Sequence, residues 1–364
     1  MKFNILTPSL PVKMARNTGL DVRLKVIGRV RDGRQVAVDA WARFQNTSNA
    51  LFPGWLVPES AMETQLLRRD LDRVVVKFST DPELDQQLQG EKVFLESLDG
   101  HPGFPSVAYS GQALAEHSTY EYYTITRESP FLVMPFYEGK SLESFELKDW
   151  REGRLPRREE VAQLGVGIMP QMAEHLADLH DKGIVHRDVK PNNALFNEKT
   201  GALILLDFGR ANWLTAEARQ DTGTFGFYPP ELQASGLTRE DVRTDIYGYG
   251  ATCFTLLTGE MGINFGLKLD PFKLTRVEYL FIGQNKVFAD YYRALRGFSN
   301  KSAEELLQRL NMPAALKETT LGRYIVSLFH PAFDRRPANM RQVAEIMRQA
   351  GGELLVHELN LPAA

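Results

Sequence analysis

The sequence predicts an α+β chain in which strands come first and helices follow. Three observations predict it. The first third is rich in valine and turn residues, with apolar runs of strand length. From Val161 onward, apolar residues recur at spacings of three and four, the period of a helix buried on one face. The chain has 364 residues, 43% hydrophobic and 24% charged, enough for a large core and for two domains or lobes.

The elements follow in order. Leu24-Lys25-Val26-Ile27 and Val36-Ala37-Val38-Asp39-Ala40-Trp41 read as strands around an Asp32-Gly33 hairpin turn. Residues 46–70 are polar, contain proline and glycine and show no clear period, so they read as an inserted loop. Val74-Val75-Val76-Lys77-Phe78 reads as a buried strand carrying one cation. A helix should start directly after it, with Asp81 as its N-cap and Pro82 at its first position. Leu84, Leu88, Leu95 and Leu98 form its apolar stripe, and Glu91 falls on that stripe. An acid on a buried helix face, shortly after a lysine in a buried strand, calls for an opposite charge. Phe131-Leu132-Val133-Met134 reads as the next strand and runs into Pro135-Phe136-Tyr137. Val161, Leu164, Ile168, Met172, Leu176 and Leu179 mark one face of a long helix. Pro170 should kink that helix or lie near its start. Lys182-Gly183 should end it. Leu203-Ile204-Leu205-Leu206 reads as a strand leading into Asp207.

Composition limits the function classes. A net charge of −3 gives no argument for nucleic acid or an anionic membrane surface. No apolar run of about 18 residues occurs, so membrane insertion is not expected. Met1 to Leu20 has no apolar core of signal-peptide length. Cys253 is the lone cysteine, so no intramolecular disulfide forms, and its apolar surroundings suggest a buried, inert thiol. These features lead us to expect a soluble cytoplasmic protein.

One stretch carries chemistry. His186-Arg187-Asp188-Val189-Lys190-Pro191-Asn192-Asn193 reads H-R-D-x-K-x-x-N, and Asp207-Phe208-Gly209 follows it. The pair of loops resembles those of protein kinases, and phosphoryl transfer, the reaction that resemblance implies, is mostly a matter of positioning and charge neutralisation. Asp188 suits the task of orienting a hydroxyl and taking its proton. Lys190 is a cation two residues on, suited to charge developing on a phosphoryl group. Asn193 and Asp207 offer the hard oxygens that magnesium prefers. Any one of them alone would be an ordinary loop residue; the set in this order is not.

These loops resemble the catalytic and metal-binding loops of eukaryotic-like (Hanks-type) serine/threonine protein kinases. Matches in the family's order run from about Leu24 to about Met347. The resemblance implies a bilobal protein-kinase fold. Its parts would be an N-terminal extension (1–20), a strand-rich N-lobe (21–136), a helical C-lobe (137–350) and a tail (351–364). The stretches at 46–70 and about 112–128 have no counterpart in the family core, and residues 262–315 are helical and divergent.

The resemblance also implies roles. Lys77 would grip the α/β-phosphates and Glu91 would hold it; an ordinary ion pair is the alternative. Met134 would be the gatekeeper. Pro135, through its carbonyl, and Tyr137, through its backbone N–H and carbonyl, would meet adenine. Val75 and Leu195 would line the nucleotide site. Gly28 and Gly33 would cover the phosphates, but Val30 stands where the family's middle glycine belongs. A plain hairpin turn is therefore an equal reading, and Arg29, Arg31 or Arg34 could lend side-chain contacts instead. Gly223-Thr224 to Pro229-Pro230-Glu231 resembles the peptide-facing platform, with Phe227 and Pro229 as departures. Asp245 would anchor the catalytic loop, and Arg336 would bridge structurally to Glu231. Arg187 would receive a phosphate from the loop between Arg210 and Thr222, whose hydroxyl residues Thr215 and Thr222 are candidate phosphorylation sites. Lys190 and Thr224 mark the serine/threonine class. The implied cofactors are ATP and magnesium, with manganese as a substitute, and the implied partners are a protein substrate and a regulatory protein.

Two other readings remain. A pseudokinase scaffold would fit the weak glycine loop, against the intact Lys77, Glu91, Asp188, Asn193 and Asp207. A small-molecule kinase, such as an antibiotic phosphotransferase, would generally lack the Pro-Pro-Glu segment.

Overall fold

The computed structural model describes residues 2–5, 12–13, 23–39, 50–57, 71–79, 81–119, 123–145, 157–218, 224, 226–233, 239–260 and 286–361. The chain divides into a strand-rich unit, Met1–Glu138, and a helical unit, Gly139–Ala364.

Among the described residues, the first unit is an antiparallel sheet with one helix. Its strands are β1 (Lys2–Ile5), β2 (Val12–Lys13), β3 (Arg23–Arg29), β4 (Gln35–Asp39), β5 (Ala50–Val57), β6 (Asp72–Phe78), β7 (Tyr109–Thr119) and β8 (Tyr123–Pro135). They lie in the order β1-β7-β8-β6-β5-β4-β3-β2. Residues 50–57, expected within a loop, form a central strand instead. Phe52, Gly54 and Leu56 are buried, while Leu51, Pro53 and Trp55 are half-buried, which is the alternation of a strand. Pro53-Gly54 hid this pattern because the pair reads as a turn. The sheet tolerates Pro53 because pairing with β4 stops at Gly54, so no N–H is needed beyond it. Gly54 is required there, since a Cβ would lie 2.7 Å from the Ala37 carbonyl oxygen.

The stretch at 112–128 also gains a structural account. It lengthens β7 and β8 into one hairpin, and β1 pairs along its far end, Lys2 opposite Ser118 and Ile5 opposite Ala115. Helix α1 (Pro82–Ser97) follows β6 as expected. The Asp81 side chain accepts from the Glu83 N–H, and Leu88, Glu91, Phe94 and Leu95 are buried. The sheet core joins Ile27, Val36, Val38, Phe52, Val74, Val76, Phe78, Phe131 and Val133. Val30 also belongs to it.

The second unit begins with β9 (Lys140–Ser141), helix α2 (Arg158–Ala162), a π-helical segment (Gln163–Ile168) and α3 (Met169–Asp181). Val161, Leu164, Ile168, Met172, Leu176 and Leu179 are all buried, so one face is shared across three helical segments. Pro170 sits in the first turn of α3. It has no N–H for the carbonyl one turn back, and the π segment takes up that change of register. Gly183 ends the helix with a left-handed φ of 76°. Then come β10 (Ile184–Val185), β11 (Ala194–Phe196), β12 (Leu203–Leu205) and β13 (Asn212–Trp213). The apolar helix α4 (Arg243–Thr258) is buried along almost its whole length. The remaining helices among the described residues are α5 (Lys286–Gly297), α6 (Ala303–Arg309), α7 (Ala314–Lys317), α8 (Thr320–Leu328), α9 (Met340–Ala350) and α10 (Gly352–Glu358).

The expected tail is part of this core. Leu355, Val356, Leu359 and Leu361 are buried. The backbones at Gly165 and Gly351 touch so closely that a Cβ on Gly351 would lie 2.2 Å from the Gly165 carbonyl oxygen. No helix among the described residues is long and apolar enough to cross a membrane.

Candidate active-site residues

In the first unit, β6 and α1 bring Lys77 and Glu91 together. The Lys77 Nζ lies 2.9 Å from Glu91 Oε1 and 2.7 Å from Oε2. Both side chains are nearly dry, at 6% and 2% exposed. Such a pair costs desolvation energy that only close contact offsets, so neither partner can be removed cheaply. Arg127 on β8 adds a second tie to α1. Its guanidinium donates to both Asp85 oxygens, at 2.7 and 2.8 Å, in the helix's first turn.

The turn between β3 and β4 is a tight hairpin. Gly33 adopts φ of 88°, its N–H donates to the Val30 carbonyl, and Val30 N–H donates to the Arg34 carbonyl. Gly28 packs beneath Tyr109, where a Cβ would lie 3.1 Å from the ring. Arg29 and Arg31 are exposed, and Arg34 is engaged by Asp32 and Asp72. At the end of β8, Met134 pairs with Val75 and Pro135 with Val74. The Tyr137 hydroxyl accepts from the Ser106 N–H. Among the described residues, the Tyr137 backbone N–H and carbonyl carry no hydrogen bond.

In the second unit, the loop after β10 carries His186 to Asn193. Asp245, in the first turn of α4, accepts from the backbone N–H groups of His186 and Arg187, each at 2.7 Å, and contacts His180 Nε2 at 2.9 Å. Those bonds hold Arg187 at a left-handed φ of 67°. Burial alone would raise the Asp245 pKa, but His180 and the His186 backbone reverse this and hold it below the usual value.

Asp188 sits in a nearly closed polar cluster. Its Oδ2 accepts from Lys190 Nζ at 2.7 Å and Asn193 Nδ2 at 3.0 Å, and its Oδ1 accepts from the Thr224 hydroxyl at 2.9 Å. Lys190 also donates to Thr224 at 2.8 Å. Burial would raise the Asp188 pKa, but the cations Lys190 and Arg210 outweigh it and hold the carboxyl below its usual range. The group is therefore ionised at neutral pH. Among the described residues the Asn193 amide bonds through its nitrogen, to the Asp188 backbone and side chain, which leaves the amide oxygen for another ligand. Asp207 follows β12 at a left-handed φ of 62°, and Phe208 packs against the His186 ring at 4.9 Å. Leu195 lies half-buried on β11.

Comparison with known proteins names a family for part of the chain. Residues 109–278 match the protein kinase domain family. A probable serine/threonine-protein kinase of Clostridium perfringens is 37% identical over 138 residues, 37% of this chain and 18% of that protein. The serine/threonine-protein kinase PrkC of Bacillus subtilis is 29% identical over 205 residues, 55% of this chain and 28% of the relative. PknA of Corynebacterium glutamicum is 30% identical over 227 residues, 56% of this chain and 42% of the relative. Over these residues the chain resembles the Hanks-type protein kinase family. The chain spans less than half the length of these relatives.

Other residues of the chain lie where the sequence suggested, and some do not. Arg336 donates to both Glu231 oxygens, at 2.6 and 2.7 Å, and its guanidinium lies over the Tyr247 ring. Thr215 is exposed on the turn after β13, while Thr222 lies outside the described residues. Arg187 is nearly dry and lies against Glu240, a residue no sequence pattern singled out. Glu240 sits in a charge-dense run, Arg239 to Arg243, that reads as a solvated surface. The Thr224 hydroxyl, bridging Asp188 and Lys190, likewise carries more than its motif position suggests.

Proposed function

We propose that this chain is an ATP- and magnesium-dependent serine/threonine protein kinase that also phosphorylates itself. The observation that carries this reading is the polar cluster of Lys190, Asn193 and Thr224 around the buried Asp188. It holds one ionised carboxylate among donors, as a group must be held that orients a hydroxyl and accepts its proton. Lys190 would follow the charge that develops on the transferred phosphoryl group. Asn193, through its amide oxygen, and Asp207, through its carboxylate, would hold magnesium, which neutralises phosphate charge when bound. Lys77, held by Glu91, would bind the nucleotide's phosphates. The Tyr137 backbone N–H and carbonyl, which carry no hydrogen bond among the described residues, would receive adenine with the Pro135 carbonyl, beside Met134 and Val75, and Leu195 is a further candidate for nucleotide contact. Gly28 and Gly33 would form the turn near the phosphates, and a protein hydroxyl would be the acceptor.

The test is direct. Purified chain with labelled ATP, magnesium and a generic protein substrate should transfer label to serine or threonine. Asp188→Asn should lower that rate by about 10²–10⁴-fold. A wild-type rate in the Asp188→Asn protein would sink the assignment.

A further inference from the structure

The run Arg239-Glu240-Asp241-Val242-Arg243 leads into α4, yet Glu240 is not a surface residue. Its side chain is 0% exposed, and that of Arg187 is 1% exposed. The Glu240 Oε2 lies 3.3 Å from Arg187 Nε. Its Oε1 accepts from Asn212 Nδ2 at 2.9 Å. Its backbone N–H donates to the Ala216 carbonyl at 3.3 Å. Asn212 belongs to β13, which pairs with β10 so that Asn212 lies opposite Val185. The same amide donates to the Glu217 carbonyl. One dry carboxylate thus joins the residue before Asp188, the strand after Asp207-Phe208-Gly209 and the entrance to α4.

We propose that Glu240 is a positioning residue. It supplies a permanent negative charge to Arg187 and thereby holds the catalytic loop and the 212–217 segment in register, without a phosphate on Thr215 or Thr222. The inference rests on the kinase reading of the Asp188 cluster. Its physical basis is charge accounting. A guanidinium withdrawn from water needs a counter-charge, and Glu240 provides one from within the fold. A phosphate would bring about −1.5 to −2 further charges next to that carboxylate, so the two would repel. The exposed turn position of Thr215 leaves its modification sterically open, but this geometry does not require it.

Glu240→Gln keeps the shape and an oxygen for Asn212 while removing the charge. The expected result is a fall in kcat of at least tenfold with KM for ATP within about twofold, and partial recovery in Glu240→Asp. The Thr215→Ala/Thr222→Ala protein and phosphatase-treated wild type should both keep the wild-type rate. A wild-type rate for Glu240→Gln overturns the proposal, and so does an inactive double-threonine variant. If Glu240→Gln does not fold, the threonine variant and the phosphatase treatment decide alone. If wild type transfers no phosphate at all, the kinase reading fails first. Hydrogen exchange then tests the anchor by itself. Faster exchange at the His186 and Arg187 amides and across 212–216 in Glu240→Gln supports it, and unchanged exchange overturns it.

Discussion

Asp188 and Asp207 are both acids near one loop, but their substitutions should be distinguishable. Asp188→Asn removes the proton acceptor and leaves the proposed metal ligands, so it should retain ATP binding and lose transfer. Asp207→Asn should weaken magnesium-dependent ATP binding itself. Calorimetric titration of nucleotide with and without magnesium separates the two. Asp245 makes a different prediction, about stability. Its folded pKa lies below the unfolded value near 3.8. Its contribution is therefore fully present above that pH and is lost as pH falls through the lower folded value. Asp245→Asn should lower stability by about 3–5 kcal/mol at neutral pH, because two backbone donors and a histidine lose a buried charge. Thermal melts of the two proteins should converge as the pH drops below the ordinary carboxylate range. A constant gap down to acid pH would argue against an ionised Asp245.

At the scale of elements, α1 is held twice, through Glu91 to β6 and through Asp85 to Arg127 on β8. The Lys77 and Glu91 side chains should act as one unit. Either single substitution should cost activity, and the double variant should be little worse than the worse single one. Simple additivity would count against a direct bridge in solution. Arg127→Ala should cost up to about 1 kcal/mol of stability, since its pair is partly exposed. It should also raise KM for ATP by loosening α1; an unchanged KM would confine Arg127 to packing. The helix itself was legible in the sequence because cap, first-turn proline and stripe all agreed. Strand β5 was not, because Pro53-Gly54 breaks the local signal and only the neighbouring strands show that the position tolerates it. The π segment was half legible: Pro170 announced a disturbance, but its form depends on how the following helices pack.

At the scale of the whole chain, collinear motifs reveal far more than composition does. The Arg336–Glu231 bridge spans residues distant in sequence and was legible because each end carries its own motif. Glu240 was not legible, because its burial is decided by Arg187 and Asn212, which reach it from other segments. The C-terminal residues 351–361 were read as a tail because one short helix has little periodicity; their docking depends on the Gly165–Gly351 contact. Leu355→Ala should therefore destabilise the protein by about 2–5 kcal/mol, measured by denaturant melts, where a true tail residue would have almost no effect. Cys253 gives the chain an internal clock. It is the sole cysteine, buried on α4, and burial pushes its thiol up to about 12. A thiolate-seeking dye in neutral buffer will thus find nothing to react with while α4 stays packed. The rate of dye uptake, followed without any engineered label, reports how often the helical unit opens. Bound nucleotide should slow that uptake in proportion to how tightly it holds the folded form.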